Sequence, residues 1–326
     1  MKYLITGGAG FVGSHLTDAL IAEGHSVSVL DDFSTGTHSN LDHHKGRKSL
    51  ELIEGSILDE VLVDDLVLKA DRVLHLAAAV GVFNIVQKPL QSLRTNIKGS
   101  ENVFEAALRH SKPVLITSSS EIYGKNTSDS LSEDDDRIVG APQKIRWSYS
   151  DAKAIDEAMA ITLNQQEGLE TRIVRLFNTV GPRQVGHYGM VVPRFVLAAL
   201  KGEPIQIYGT GHQTRCFGHV LDVVDAIIRV DRTDSLVGKP VNIGVDQEIS
   251  IIALAEQIKK LTKSQSQIEF KDYDEVYTKG FEDMERRVPN SSLLRESTGW
   301  KPSRDISTII LDICEYLESS RLPRGI

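Results

Sequence analysis

The sequence predicts an α/β protein: a doubly wound parallel sheet followed by a smaller C-terminal α/β domain. Two observations carry this. Short apolar runs alternate with longer amphipathic segments through the first half of the chain, as successive βαβ units require. The first of those runs opens into a glycine-rich turn, Thr6-Gly7-Gly8-Ala9-Gly10-Phe11-Val12-Gly13, directly ahead of a helix.

Strands are expected at Lys2–Thr6, Ser26–Leu30, Leu50–Glu54, Arg72–Leu76, Val114–Thr117 and Thr171–Leu176. Most are nearly continuous apolar runs, which fits a sheet covered by helices on both faces. Helices are expected between them, around Gly10–Glu23, Leu90–His110 and Tyr149–Glu167. Past Phe177 the texture changes, with Gly181-Pro182, Gly186, Gly189 and Pro193 punctuating the chain before a helix near Arg194–Lys201. A second βα pattern follows at Ile205–Tyr208, Val220–Val230, Val241–Ile243 and Ile251–Leu261. The charge run Glu133-Asp134-Asp135-Asp136 reads as a solvated loop.

Composition excludes several function classes. With 37 basic and 45 acidic residues the net charge is −8, so no basic surface invites nucleic acid. No apolar run approaches the roughly 18 residues of a membrane span. Cys216 and Cys314 are the only cysteines, too few for a disulfide framework or a thiolate metal site. His43 and His44 are adjacent, but no cysteine or carboxylate stands at ligand spacing, and Asp42-His43-His44-Lys45-Gly46 reads as a solvated turn. No metal is expected. The chain starts in a strand without a signal peptide, which predicts a cytoplasmic protein.

Gly8, Gly10 and Gly13 fit G-x-G-x-x-G in the strand–loop–helix context that gives this motif meaning. The turn must be tight, the backbone must approach a pyrophosphate, and the helix N-terminus must face its charge. Gly7, Gly10, Phe11, Val12 and Gly13 are therefore expected at a dinucleotide. The second strand ends at Asp31-Asp32, with Ser34 just beyond. A carboxylate there accepts hydrogen bonds from the adenosine 2′-hydroxyl and repels a 2′-phosphate, so the expected cofactor is NAD. Residues 1–176 are assigned to a Rossmann-type NAD-binding domain that also receives about 216–240. Residues 177–326 are assigned mainly to a substrate-binding domain.

Tyr149 and Lys153 stand at i and i+4, on one face of a helix. A nearby ammonium favours the phenolate and is expected to lower the Tyr149 pKa, making it a usable base. Upstream, the fifth strand opens into Ser118-Ser119-Ser120-Glu121, hydroxyls at the C-terminal strand edge where open α/β sheets bind ligands.

Thr6–Gly13, His75-Leu76-Ala77-Ala78, Ser118–Gly124, Tyr149–Lys153 and Arg175-Leu176-Phe177-Asn178 together resemble the extended short-chain dehydrogenase/reductases that act on nucleotide sugars. The resemblance continues through Gly181-Pro182-Arg183, Ile207–Gly211, Gln213-Thr214-Arg215 and Gly299-Trp300-Lys301-Pro302, nearly the whole chain. It implies that Tyr149 deprotonates a sugar 4-hydroxyl, assisted by Ser119, while hydride passes from C4 to NAD. It adds Leu76, Ala77 and Ala78 to the cofactor site, with Ser56 and Ile57 beside adenine. Relatives usually carry aspartate where this chain has Ser56. Asn178, Arg183, Arg194, Gln206, Tyr208 and Arg215 match segments that grip the nucleoside diphosphate. The resemblance also implies a homodimer joined by the helices Leu90–His110 and Tyr149–Glu167.

Within that family the 4-keto sugar can go three ways. A 4,6-dehydratase usually shows Asp-Glu where this chain has Ser120-Glu121, and a plain 4-epimerase has no need of the carboxylate. The Ser-Glu version looks most like UDP-glucuronate decarboxylases, in which Glu121, Ser120 and an arginine would steer the carboxylate and reprotonation. Arg146-Trp147-Ser148-Tyr149 and Glu285-Arg286-Arg287-Val288-Pro289 resemble decarboxylase segments, Arg287 facing the reacting sugar. Against this, Arg286 and Arg287 can be read as surface partners of Glu282, Asp283 and Glu285. Val80-Gly81-Val82-Phe83 is also less polar than a uronate would suggest. The expected reaction is UDP-glucuronate decarboxylation, with UDP-sugar 4-epimerisation next and NDP-hexose 4,6-dehydration third. A non-catalytic NAD-sensing regulator on the same fold is the reading from a different class, disfavoured because Tyr149 and Lys153 are both present.

Overall fold

A computed structural model describes residues 1–79, 88–186, 190–272, 284 and 286–319. The segment Val80–Phe83, Gly189, Glu282, Asp283 and Glu285 lie outside the described residues.

The first half alternates strand and helix. The strands are β1 (Lys2–Thr6), β2 (Ser26–Asp31), β3 (Leu50–Glu54), β4 (Arg72–His75), β5 (Val114–Ser119) and β6 (Thr171–Leu176). Between them run α1 (Phe11–Ala22), α2 (Glu60–Lys69), α3 (Pro89–Arg109) and α4 (Ser148–Glu167). The second half holds β7 (Thr179–Val180), α5 (Val191–Lys201), β8 (Ile205–Tyr208), β9 (Thr214–Cys216), β10 (Gly218–His219) and α6 (Val220–Asp231). These are followed by β11 (Pro240–Ile243), β12 (Glu248–Ser250), α7 (Ile251–Thr262), β13 (Ile268–Lys271), α8 (Ser292–Thr298) and α9 (Ile306–Ser319).

Seven strands form one sheet in the order β11-β6-β5-β4-β1-β2-β3. Every pairing in it is parallel. The order reverses at β1 and β4, and the cleft lies above that switch point, beyond the carboxyl ends of the strands. The pleat sends Tyr3 and Ile5 to one face, against α1 and α6, and Leu4 to the other, against α2 and α3. Both faces are thus buried, which is why the strand sequences read as continuous apolar runs. Helix α6 and strand β11 pack into the large sheet although they come from the second half of the chain. The remaining C-terminal elements build a separate core from α5, α7, α9 and β8, centred on Phe195, Ile207, Leu254 and Ile310.

Two sequence expectations change in three dimensions. Strand β5 runs two residues past Thr117, because Ser118 and Ser119 pair in register with Arg175 and Leu176. This carries the serine shelf onto the end of the strand instead of leaving it in a loop. The acidic run is only partly solvated: Glu133 Oε1 accepts from the Asn242 backbone N–H at 2.8 Å, and burial raises its pKa.

The histidine pair is likewise not a free turn. His43 and His44 each place Nε2 within 2.8 Å of Asp18 Oδ1, and His44 is buried. Asp18 sits on α1, far away in sequence, which is why no carboxylate was visible at ligand spacing. Its other oxygen is 2.8 Å from Arg183. Among the described residues, no helix is long and apolar enough to cross a membrane.

Candidate active site

The cofactor half of the cleft is built by backbone geometry. Gly7 has φ +72°, and a Cβ there would meet the Ala77 backbone nitrogen at 2.8 Å. Its N–H donates to Leu30 O at 2.8 Å, and its carbonyl accepts from Gly10 N–H at 3.1 Å. A Cβ on Gly13 would collide with the Gly7 carbonyl, so only glycine lets α1 start this close to the loop. Gly10 is the N-cap of α1 and has no side chain to occupy the helix's first N–H groups, which stay available to a phosphate. Gly7, Gly10, Phe11, Val12 and Gly13 all line the cleft.

Asp31 lies at the cleft wall. Its Oδ2 accepts from Ala9 N–H at 2.9 Å and its Oδ1 from Phe33 N–H at 2.9 Å, so it braces the glycine loop at the edge of the cleft. Asp32 accepts from both the backbone and the hydroxyl of Ser34, and both residues line the cleft. Ile57, Leu76, Ala77 and Ala78 complete this wall. Ser56 does not join it: the hydroxyl accepts from Leu58 N–H at 3.2 Å, and the lining passes from Gly55 to Ile57. The donor set, the glycine cradle and the open helix end fit NAD.

The reacting centre lies where β5, α4 and the chain near residue 287 meet. Ser119 caps the 3-10 turn Ser120–Tyr123 by accepting from Glu121 N–H at 3.2 Å. Its hydroxyl lies near enough to Tyr149 to lower the phenol's pKa, though burial outweighs it. Lys153 lies one helical turn below Tyr149, buried and set back from the cleft surface. Its Nζ is 3.1 Å from Asp156 Oδ2.

This geometry corrects the expectation for the tyrosine. Burial raises the Tyr149 pKa above its ordinary value and outweighs the lowering by Lys153; Glu121 and Asp156 push the same way as burial. The lysine acts as anticipated, but the rest of the environment is stronger. Lys153 itself is held protonated, its pKa raised despite burial by Asp156 and Tyr149.

Glu121 is clamped. Arg287 Nη2 donates to Oε1 at 2.8 Å and Arg146 Nη1 to Oε2 at 2.7 Å. Arg287 Nη1 also donates to Ser120 Oγ at 3.1 Å. Burial alone would raise the Glu121 pKa, but the two guanidiniums hold it down to about 2. Glu121 is therefore a carboxylate at any working pH and is no proton donor in this arrangement. Among the described residues these two arginines share one carboxylate, and all three side chains line the cleft with Tyr149. Arg287 is 5% exposed and so is no surface residue; Glu282, Asp283 and Glu285, its alternative partners, lie outside the described residues. Arg146 stands one turn before the tyrosine, yet nothing in the sequence pairs it with Glu121, 25 residues away.

The floor under this cluster is rigid. Arg175 reaches Glu157 through Nε at 2.9 Å and Nη2 at 2.7 Å, and donates to Tyr123 Oη at 2.8 Å. Tyr123 in turn donates to Asn242 Oδ1 at 2.7 Å.

On the far side, Asn178, Arg194, Tyr208 and Arg215 line the cleft. Arg194 stacks 4.0 Å over the Tyr208 ring, a flat cationic surface suited to a base or a phosphate. Two expected residues lie elsewhere. Gln206 is on the same strand face as Tyr208 but exposed and outside the lining, because the cleft reaches only the C-terminal end of β8. Arg183, at φ +68°, turns away to Asp18. Gln184 and Gln213, which line the same wall, were not singled out.

A dinucleotide cleft above a parallel sheet, with a Ser-Tyr-Lys cluster at its centre, defines an NAD-dependent enzyme of the short-chain dehydrogenase type. The sequence profile of the NAD dependent epimerase/dehydratase family matches residues 3–244, and the chain belongs to that family. It is 42% identical over 303 residues to the UDP-N-acetyl-alpha-D-glucosaminuronate decarboxylase of Bacillus cytotoxicus, covering 93% of each chain. It is 38% identical over 301 residues to UDP-glucuronic acid decarboxylase 1 of Xenopus tropicalis, covering 92% of this chain and 68% of the relative. Among solved structures, UDP-glucuronic acid 4-epimerase from Bacillus cereus, in complex with UDP-glucuronic acid and NAD, superposes with a TM-score of 0.88. The two are 25% identical, and the match covers 98% of this chain and 100% of the other.

Proposed function

We propose that this protein decarboxylates a UDP-linked hexuronate, UDP-glucuronate first, through transient oxidation at C4. The observation that carries this reading is the Arg146–Glu121–Arg287 clamp beside Tyr149. Two guanidiniums brought together at the cleft wall suit a sugar bearing a carboxylate at C6, and a neutral hexose has no use for them. NAD, when bound, takes up the C4 hydride. Tyr149 in its phenolate form, which the Lys153 ammonium beneath favours, removes the O4 proton, with Ser119 beside it. The oxidised sugar is a β-keto acid: the C5–C6 bond breaks, carbon dioxide leaves, and the electron pair delocalises from C5 into the C4 carbonyl. Arg146 and Arg287 orient the departing carboxylate, while Glu121 keeps them apart and in place. The proton then taken up at C5 comes from another donor, since Glu121 carries none.

The relatives support the same chemistry, since both curated ones are named decarboxylases of UDP-uronates. The 42% relative acts on the 2-acetamido sugar, which makes UDP-N-acetylglucosaminuronate the second substrate to test. Purified protein is to be given each uronate, with carbon dioxide and the sugar product followed by mass and NMR. Loss of carbon dioxide from either supports the proposal. A C4-inverted product of unchanged mass would replace it with epimerisation. We further infer a homodimer in the cytoplasm; the dimer is supported by Leu90 on α3 and Ile155 on α4, which are exposed on adjacent helices. Sedimentation at micromolar concentration tests the dimer.

A further inference from the structure

Away from the reaction cleft, three side chains of metal-ligand type converge that the proposed mechanism does not use. Asp18 lies on α1, and His43 and His44 lie on the short turn Asp42–His44 after β2. Both imidazole Nε2 atoms meet a single carboxylate oxygen, Asp18 Oδ1, at 2.8 and 2.7 Å. The three atoms all lie within 4.8 Å of one another. None of the three residues lines the cleft.

As it stands the cluster is crowded on the donor side. Two ring N–H groups share one oxygen, with the ring centroids 4.1 Å apart. Arg183 Nη2 takes the other carboxylate oxygen at 2.8 Å, so one carboxylate serves three donors. His44 is buried, yet its Nδ1 has no hydrogen-bond partner.

We propose that Asp18 Oδ1, His43 Nε2 and His44 Nε2 form a binding site for a zinc-type divalent ion. Two imidazole nitrogens with one carboxylate oxygen suit zinc, cobalt or nickel, whereas magnesium and calcium seek oxygen ligands. The ion takes the place of the two Nε2 protons. Each ring stays neutral by carrying its proton on Nδ1, which on His44 no other group occupies. Ligand atoms around a tetrahedral ion stand about 3.3 Å apart, so the present separations widen by only about half an ångström. Arg183, on the other oxygen, holds the carboxylate as outer-shell partners orient metal ligands. The His43 side chain is 46% exposed, which gives the ion an entry path and water for its remaining position. Because α1 starts at the dinucleotide loop, a bound ion ties that helix to the turn that follows Asp31 and Asp32.

The test needs neither substrate nor turnover and so stands apart from the proposed decarboxylation. Zinc chloride is titrated calorimetrically into the untagged full chain after removal of metal with a chelator. One zinc per chain is expected to bind, more tightly than about 0.1 mM. His43→Gln, at a half-exposed position where the fold tolerates change, and Asp18→Asn should each weaken binding by about tenfold or more. His110→Gln, which alters a histidine paired with Asp64 at the end of α3, should leave it unchanged. Zinc should raise the melting temperature of the parent and leave that of His43→Gln where it was. Binding weaker than about 0.1 mM in the parent, or equally strong in His43→Gln and Asp18→Asn, overturns the proposal. Displacement of the zinc by equimolar magnesium chloride overturns it as well.

Discussion

Arg287 meets Glu121 across 166 residues of sequence, Nη2 to Oε1 at 2.8 Å, at the wall of the reaction cleft. The contact joins a strand-end turn to a segment near the C-terminus, so this wall of the cleft exists only once both halves of the chain have folded together.

Replacing Arg287 by glutamine removes the partner of Glu121 and half of the positive charge offered to a substrate carboxylate. Steady-state kinetics on the uronate should show kcat/KM reduced about 100-fold or more, the size expected when one member of a buried charge pair is lost. NAD retained on purification should be unchanged, because Arg287 lies away from the glycine loop. Activity within a factor of about three would mean that the arginine does not meet the substrate.

The Glu121 carboxyl has a folded pKa of about 2, below its unfolded value of about 4.3. A depressed carboxyl adds stability that is fully present above the unfolded value and is lost as pH falls through the folded one. The difference in urea midpoint between the parent and Glu121→Gln should therefore hold steady above about pH 5 and shrink between about pH 4.5 and 2. A difference that grew on acidification would show that Glu121 is protonated in the clamp.

Tyr149→Phe removes the oxygen proposed to take the O4 proton and leaves the ring in place. Single-turnover formation of reduced cofactor on mixing with the uronate should slow by about 10²- to 10⁴-fold. Uronate binding measured by calorimetry should change little. Reduced cofactor forming at the parental rate would assign the proton transfer to another group.

Gly13→Ala puts a methyl group into the Gly7 carbonyl, a backbone atom with nowhere to go. The loop must shift, at a cost of about 1–3 kcal/mol for an overpacked site. Purified protein should carry far less NAD and melt several degrees lower. A variant that keeps both parental NAD content and melting temperature would mean the helix start can move freely.

Much of this was legible in the chain itself. The glycine spacing, the acid ending β2 and the i, i+4 Tyr149–Lys153 pair are local patterns, fixed by backbone geometry within one or two elements, and the structure places them where those patterns require. Lys2–Thr6 and Thr171–Leu176 are found with the expected bounds for the same reason: continuous apolar runs have one way to lie in a sheet buried on both faces.

Other features depend on partners that sequence order conceals. Tyr149 alone suggested a phenol with a lowered pKa; burial together with Glu121 and Asp156 reverses the direction. Ser56 had the right position for adenine but spends its hydroxyl on its own turn. His43 and His44 lacked a carboxylate until α1 brought Asp18 to them.

By itself, then, the sequence determined the fold class, the dinucleotide loop and the place of the tyrosine we propose as the base, because each is written in short-range spacing that backbone sterics and helix periodicity translate directly. Only the tertiary structure decided what surrounds that base. Arg146, Glu121 and Arg287 come from three separate segments, and their protonation states follow from burial and mutual distance, quantities that exist only after the chain has closed on itself.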